Sequence, residues 1–170
     1  MQRIKIAFER NEKALQLRPT LGKKTAITKV RVRDGLLCEI AEGAWKIVTD
    51  MGENRGGTNA GPNPGILGRG ALGSCLAMGY MMWAAKLGVT ITNLEVEIQA
   101  DMDVRCEYAL AEVPAGYLEV RCLVNVESPA PREEVLRVLD VADEHSSYLD
   151  IFRRPQQMRR EVRFIASEAQ

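Results

Sequence analysis

Cys75 lies midway along the run GPNPGILGRGALGSCLAMGYMMWAAKLG, Gly61 to Gly88, and is the side chain best suited to act as a nucleophile. The reactive form of a cysteine is the thiolate, so its chemistry depends on how far the surroundings lower the thiol pKa. The same residue also reads as a small hydrophobe in a Gly- and Ala-rich helix, because free cysteine is among the most buried residue types. Mid-helix, it draws nothing from the N-terminal dipole of its own element, whose influence fades within a turn.

The other thiols, Cys38, Cys106 and Cys122, are scattered, with no CxxC pair and no histidine-rich neighbour. Neither a structural zinc nor a disulfide framework is expected. His145 is the single histidine. One imidazole cannot make a two-histidine metal site, and any Ser/His/Asp or Cys/His system would have to be built around that ring. No cofactor is expected.

A helix must carry Cys75. Leu67, Ala71, Cys75, Met78 and Met82 fall on one helical face, and Leu72, Leu76, Gly79, Trp83 and Leu87 on another, so the helix is apolar on nearly all sides and reads as buried. The charge-free stretch Gly70 to Ala85 is shorter than the ~20 residues of a membrane span and is followed by Lys86 and a nearby glycine, so no membrane role is expected. Before it, MGENRGGTNAGPN (Met51–Asn63) is a loop by composition, and ordered long loops commonly carry function.

Upstream, ITKVRVR, LLCEI and AWKIV alternate with period two around Asp34-Gly35 and Glu42-Gly43, which predicts a three-stranded meander. A simple two-residue turn at Asp34-Gly35 would place Arg31 opposite Cys38 and Arg33 opposite Leu36. Residues 1–20 form an arm in which Ile4, Ala7, Phe8, Asn11 and Leu15 share a helical face and Arg18-Pro19 ends the helix, although Ile4, Ile6 and Phe8 also alternate as a strand would. Such an arm is expected to pack on a partner subunit.

Downstream, Leu94 to Val104 and Leu118 to Val126 alternate as two long antiparallel strands joined near Pro114 to Gly116, a pairing that could set Cys106 against Cys122. Pro129 and Pro131 then precede a helix with Glu133 and Glu134 in its first turn, where carboxylates suit the dipole. Val135, Val138, Leu139 and Ala142 form its inner face, and the same spacing turns Ser146 inward. MRREVRFIA reads as a closing strand. Residues 21–170 thus make one α+β domain, long enough to bury a core without staples.

Lys plus Arg and Asp plus Glu each number 23, so neither a nucleic-acid footprint nor a polybasic membrane patch is expected. The charged opening MQRIKIAFERNEKALQLRP lacks the apolar core of a signal peptide, and a cytoplasmic protein with reduced thiols is expected.

The element order, with GGTNAGPNP and ALGSCLAMG in place, resembles the OsmC/Ohr family of osmotically inducible and organic hydroperoxide resistance proteins, from about Thr25 onward. The resemblance implies an OsmC-like fold in which antiparallel sheet packs around a long central buried helix in an intertwined homodimer. It implies reduction of organic hydroperoxides by an attacking cysteine, an activating arginine, a glutamate that holds the arginine, and a resolving cysteine. Cys75 matches the attacking cysteine. Arg55 has the spacing to Asn63-Pro64 of the OsmC branch, and Arg33 in RDG resembles the Ohr branch. The glutamate position, ten before Cys75, is Gly65, and the resolving position, in ADEHSSY, is Ser146. A serine forms no disulfide, so a Cys75–Ser146 dithiol cycle is excluded, and Gly65 leaves the arginine without its clamp, a role Glu53 could take. The expectation is a weak, one-cysteine peroxide reductase that uses an external thiol. The alternative is a catalytically silent dimer that binds an apolar small molecule around Cys75.

Overall fold

The computed structural model describes residues 1–166. Helix α1 (Gln2–Leu17) ends at Arg18, whose backbone (φ −138°, ψ 81°) has left the helical region, which the following Pro19 disfavours. Helix therefore prevails over the alternating-strand reading. Its apolar face lies on the chain's own helix α2 (Pro64–Leu87): the Phe8 ring meets Trp83 edge-on at 5.2 Å, while Lys86 pairs with Glu12 and sits 5.4 Å from the Phe8 centroid.

The meander forms as expected, from β1 (Lys29–Asp34), β2 (Leu37–Glu42) and β3 (Trp45–Thr49) in the order β1-β2-β3. The first turn differs. Its central residues are Gly35 and Leu36, with positive φ at Gly35 (51°), and a bulge falls between Val32 and Asp34. Arg31 therefore faces Glu39, and Val32 faces Cys38, one step from the register of an unbulged Asp-Gly turn. Val30, Val32, Trp45 and Ile47 are all exposed, so this sheet buries little against the rest of its own chain.

The Met51–Asn63 segment is ordered around Asp50, which is 2% exposed. One carboxylate oxygen accepts from the Met51 N–H at 2.8 Å. The other accepts from the Thr58 N–H (2.8 Å), the Thr58 hydroxyl (2.7 Å) and the Ala60 N–H (3.2 Å). Gly57 is required in this fold, since a Cβ there would lie 2.0 Å from the Met51 carbonyl oxygen.

Asn63 caps α2 by accepting from the Ile66 N–H at 3.0 Å, and Pro64 occupies the first helical position, where its missing N–H costs nothing. Gly88, at φ 75°, ends the helix. The buried residues include Leu72, Leu76, Tyr80 and Ala84. Each large aliphatic side chain removed from water there contributes about 1.5–3 kcal/mol. The helix is not enclosed on every side, however: Met78 and Met82 are 64% and 43% exposed, because no element among the described residues covers that face. Among the described residues no helix is long and apolar enough to cross a membrane.

Strands β4 (Asn93–Met102) and β5 (Tyr117–Glu127) pair antiparallel as a second sheet, separate from the meander. Leu94, Val96, Ile98, Val120 and Val124 pack against the core around Leu72, Leu76, Tyr80 and Ala142. Cys122 faces Ile98 across the ladder, not Cys106, because the chain leaves the strand at Met102 and winds Val104–Tyr108 into a 3-10 turn. Helix α3 (Arg132–Glu144) buries Val135, Val138 and Ala142. It stops at His145, and a short helix α4 (Ser147–Arg153) begins behind Ser146. The expected closing strand is absent from the described residues: 158–166 have no ladder partner, and Met158, Phe164 and Ile165 are exposed. Alternating residues make a strand only where a neighbouring edge takes up the backbone groups.

Candidate functional site

Cys75 lines a groove of about 490 Å³ with Met78, Met82 and Trp83 of α2 and with His145, Ser146 and Ser147 of the α3–α4 junction. Its sulfur lies 3.7 Å from the Ser146 Oγ and 3.8 Å from the Ser147 Oγ. Ser146 is inward and 9% exposed, as the helical spacing requires. It also caps α4, its hydroxyl oxygen accepting from the Leu149 N–H at 3.3 Å. Burial pushes the Cys75 thiol up, but donors at the junction outweigh it: the Tyr148 N–H, the Ser146 and Ser147 hydroxyls and the Ser147 N–H. The net effect holds the thiol below its ordinary value. Sequence spacing singled out Ser146. Ser147 and Tyr148 were missed because their approach to the sulfur depends on the break after α3, for which the sequence carries no glycine or proline signal.

His145 takes another direction. Its ring lies 4.9 Å from Trp83, and its Nδ1 donates to the Val141 carbonyl at 2.8 Å. The hydroxyl of Ser146 turns instead to Cys75 and the α4 backbone, so the adjacent histidine and serine are not arranged as a base and its nucleophile.

Neither expected arginine lines the Cys75 groove. Arg55 pairs with Glu107 and sits 5.7 Å from the Tyr108 ring centroid. It borders a second cavity, also about 490 Å³, with Gly65, Arg69 and Tyr117. Glu107, which no local sequence pattern links to Arg55, gives that arginine a carboxylate partner, whereas position 65 has none. Glu53 is exposed at the start of a 3-10 turn and makes no ion pair among the described residues. Arg33 pairs with Glu39 at 2.6 Å near the hairpin end. Arg69, from the second turn of α2, donates to the Tyr117 hydroxyl at 3.3 Å.

The remaining cysteines do not line the groove either. Cys106 borders a surface recess with Leu110 and Val113, Cys122 a recess with Leu72, Leu149 and Phe152, and Cys38 belongs to the meander. Among the described residues no cluster of His, Cys, Asp and Glu could hold a metal ion.

Comparison with known proteins places this architecture. No curated protein sequence matches the chain. An OsmC-like protein from Mycoplasma pneumoniae superposes with a TM-score of 0.65 at 14% identity, over 77% of this chain and 89% of that one. An organic hydroperoxide resistance protein OsmC from Legionella pneumophila superposes with a TM-score of 0.57 at 19% identity, over 77% of this chain and 92% of that one. At 15% identity, an organic hydroperoxide resistance protein from Elizabethkingia anophelis with thiocyanate bound gives 0.57, over 77% and 91%. These likenesses are of fold. The sequence model of the OsmC-like proteins matches residues 57–159, more than half of the chain, from within the Gly/Asn loop to beyond α4, so the chain belongs to the OsmC-like family.

Proposed function

We propose that this protein reduces organic hydroperoxides with Cys75 as the reacting thiol, in a one-cysteine cycle completed by an external thiol. The observation that carries the reading is the set of donors around the sulfur, which lowers its pKa within an otherwise apolar groove. The Cys75 thiolate attacks one peroxide oxygen and the O–O bond breaks. The alkoxide leaves and takes a proton to become the alcohol, and the sulfur is left as a sulfenic acid. An external thiol then attacks that sulfur, giving a mixed disulfide and water. A second external thiol releases Cys75 and departs with the first as a disulfide. Among the described residues no second thiol lines the groove to take the resolving role. Activation falls to Ser146, Ser147 and the Tyr148 N–H, since Arg55 is engaged by Glu107. The exposed face of α2 around Met78 and Met82 supports assembly as a homodimer.

The test is one equivalent of cumene hydroperoxide in the presence of dimedone. The expected result is a dimedone adduct on Cys75 and loss of turnover in Cys75→Ser. Absence of an adduct, or turnover unchanged in Cys75→Ser, sinks the proposal.

A second reading, a catalytically silent dimer that holds an apolar small molecule, is favoured by one observation: Arg55 borders a different cavity from the thiol. Native mass spectrometry distinguishes it, through a co-purifying organic ligand combined with an unreactive Cys75.

A further inference from the structure

In the cavity at the start of α2, one wall guanidinium is left without a carboxylate partner, because one wall carboxylate is taken by an arginine outside the cavity. Arg55 is matched by Glu107, and the other acidic group on the wall, Asp103, is taken by Arg105 at 2.5 Å. Arg69 remains. It is half-buried, its hydrogen-bond partner among the described residues is the neutral Tyr117 hydroxyl at 3.3 Å, and no carboxylate among them pairs with it. A guanidinium partly withdrawn from water is costly without an anion, and its planar fork suits a carboxylate.

Position 65 shows where that anion would sit. A Cβ on Gly65 would lie 3.2 Å from both the Arg69 Nη1 and the Asn63 Oδ1, and 4.0 Å from the Tyr117 hydroxyl oxygen, so even a methyl group there would press on the guanidinium. The glycine thus keeps any side chain of its own off the guanidinium, which faces the cavity that Gly65 also lines. Met51, Met102 and Val104 supply apolar wall in the same cavity.

We propose that this cavity binds an organic monocarboxylate, with Arg69 and the Tyr117 hydroxyl holding the carboxylate in the space left by Gly65 and the apolar wall taking the chain. A monoanion fits because a single positive charge is unmatched, and the carboxylates of Glu107 and Asp103 oppose a second negative charge. The cavity shares no lining residue with the Cys75 groove, so the inference stands apart from thiol chemistry.

The test titrates the full-length protein with octanoate and, in parallel, with octanol, by calorimetry. Octanoate binds saturably, and octanol binds at least about tenfold more weakly, the usual scale of a charge-assisted pair. Arg69→Gln weakens octanoate at least about tenfold and leaves octanol unchanged. Gly65→Glu puts a carboxylate of the protein's own in the space and abolishes octanoate binding without lowering the melting temperature. No octanoate binding, equal binding of octanoate and octanol, or octanoate affinity unchanged in Arg69→Gln overturns the proposal. A folded Gly65→Glu that still binds octanoate does the same.

Discussion

The sulfur of Cys75 and the hydroxyl oxygen of Ser146 lie 3.7 Å apart although 71 residues separate them in the chain. The pair occupies the places where the OsmC/Ohr resemblance sets an attacking and a resolving cysteine, and here the second is a hydroxyl that hydrogen-bonds but cannot exchange.

Ser146→Cys should therefore install the missing step. The two side chains are already in contact, and small rotations bring two sulfurs from that spacing to bonding distance. One equivalent of hydroperoxide is expected to yield an internal disulfide between Cys75 and the introduced thiol, seen as a mass loss of about 2 Da that dithiothreitol reverses. Persistence of a dimedone-reactive sulfenic acid in this variant would show that the junction does not let the two positions close.

The pH dependence of alkylation reports the same contact. Burial alone would raise the Cys75 thiol, and the donors at the junction bring it below the ordinary value, so the thiolate is populated at lower pH than in a free cysteine. The iodoacetamide rate at Cys75 should inflect below the ordinary thiol pKa of about 8.5. Ser146→Ala removes one donor and should move the inflection upward. Coinciding profiles for the two proteins would mean that Ser146 contributes nothing to the sulfur.

The Asp50 carboxylate is held down to about 2, first by the Thr58 hydroxyl, against burial, and with the N–H groups of Thr58, Ala60 and Met51. A folded-state pKa below the unfolded one contributes stability that is present above the unfolded value of about 3.9 and fades as pH falls toward 2. Asp50→Ala should lower the melting temperature at pH 7 by roughly 5 °C or more, because it strands several donors. The difference between wild type and variant should shrink in acid. A difference that stays constant from pH 7 to about pH 2.5, well below the unfolded carboxylate value, contradicts the assignment.

The face of α2 that carries Met78 and Met82 is apolar, exposed, and continuous with the thiol groove. Light scattering should give twice the chain mass, and Met78→Glu should shift the protein to a monomer. A wild-type monomer at micromolar concentration would remove the proposed assembly.

Period-two alternation located the five strands of the described residues while adding a closing strand that does not form, and helical spacing located the buried phase of α3 together with the inward turn of Ser146. What the sequence hid has a common cause in contacts between distant segments. Glu107 reaches Arg55 from 52 residues away, and no local pattern joins them. The first hairpin turns at Gly35-Leu36 and bulges between Val32 and Asp34, which together leave its register one residue from that of a plain Asp-Gly turn, and the Asp-Gly pair specifies neither. The expectation that Cys106 faces Cys122 failed because the alternation was extended past Met102, where the backbone coils into a turn. Composition made α2 look buried all round, yet burial is a property of what surrounds a helix, and this chain covers only part of it.

The stapling of Met51–Asn63 decides which wall of the Arg69 cavity can yield. Asp50 ties that segment across its middle, and the Pro62 carbonyl accepts from both the Asp50 N–H and the Thr49 hydroxyl, so it is fastened at both ends. The facing stretch from Ala109 to Gly116 is held only at its start, where the Ala109 and Leu110 N–H groups donate to the Cys106 and Arg105 carbonyls, and it leaves the Leu110 side chain in water. Hydrogen exchange should find slow amides at Thr58 and Ala60 and fast ones across 111–116. Guests would then be admitted by the turn after β4, while the glycine-rich loop stands as a fixed doorpost.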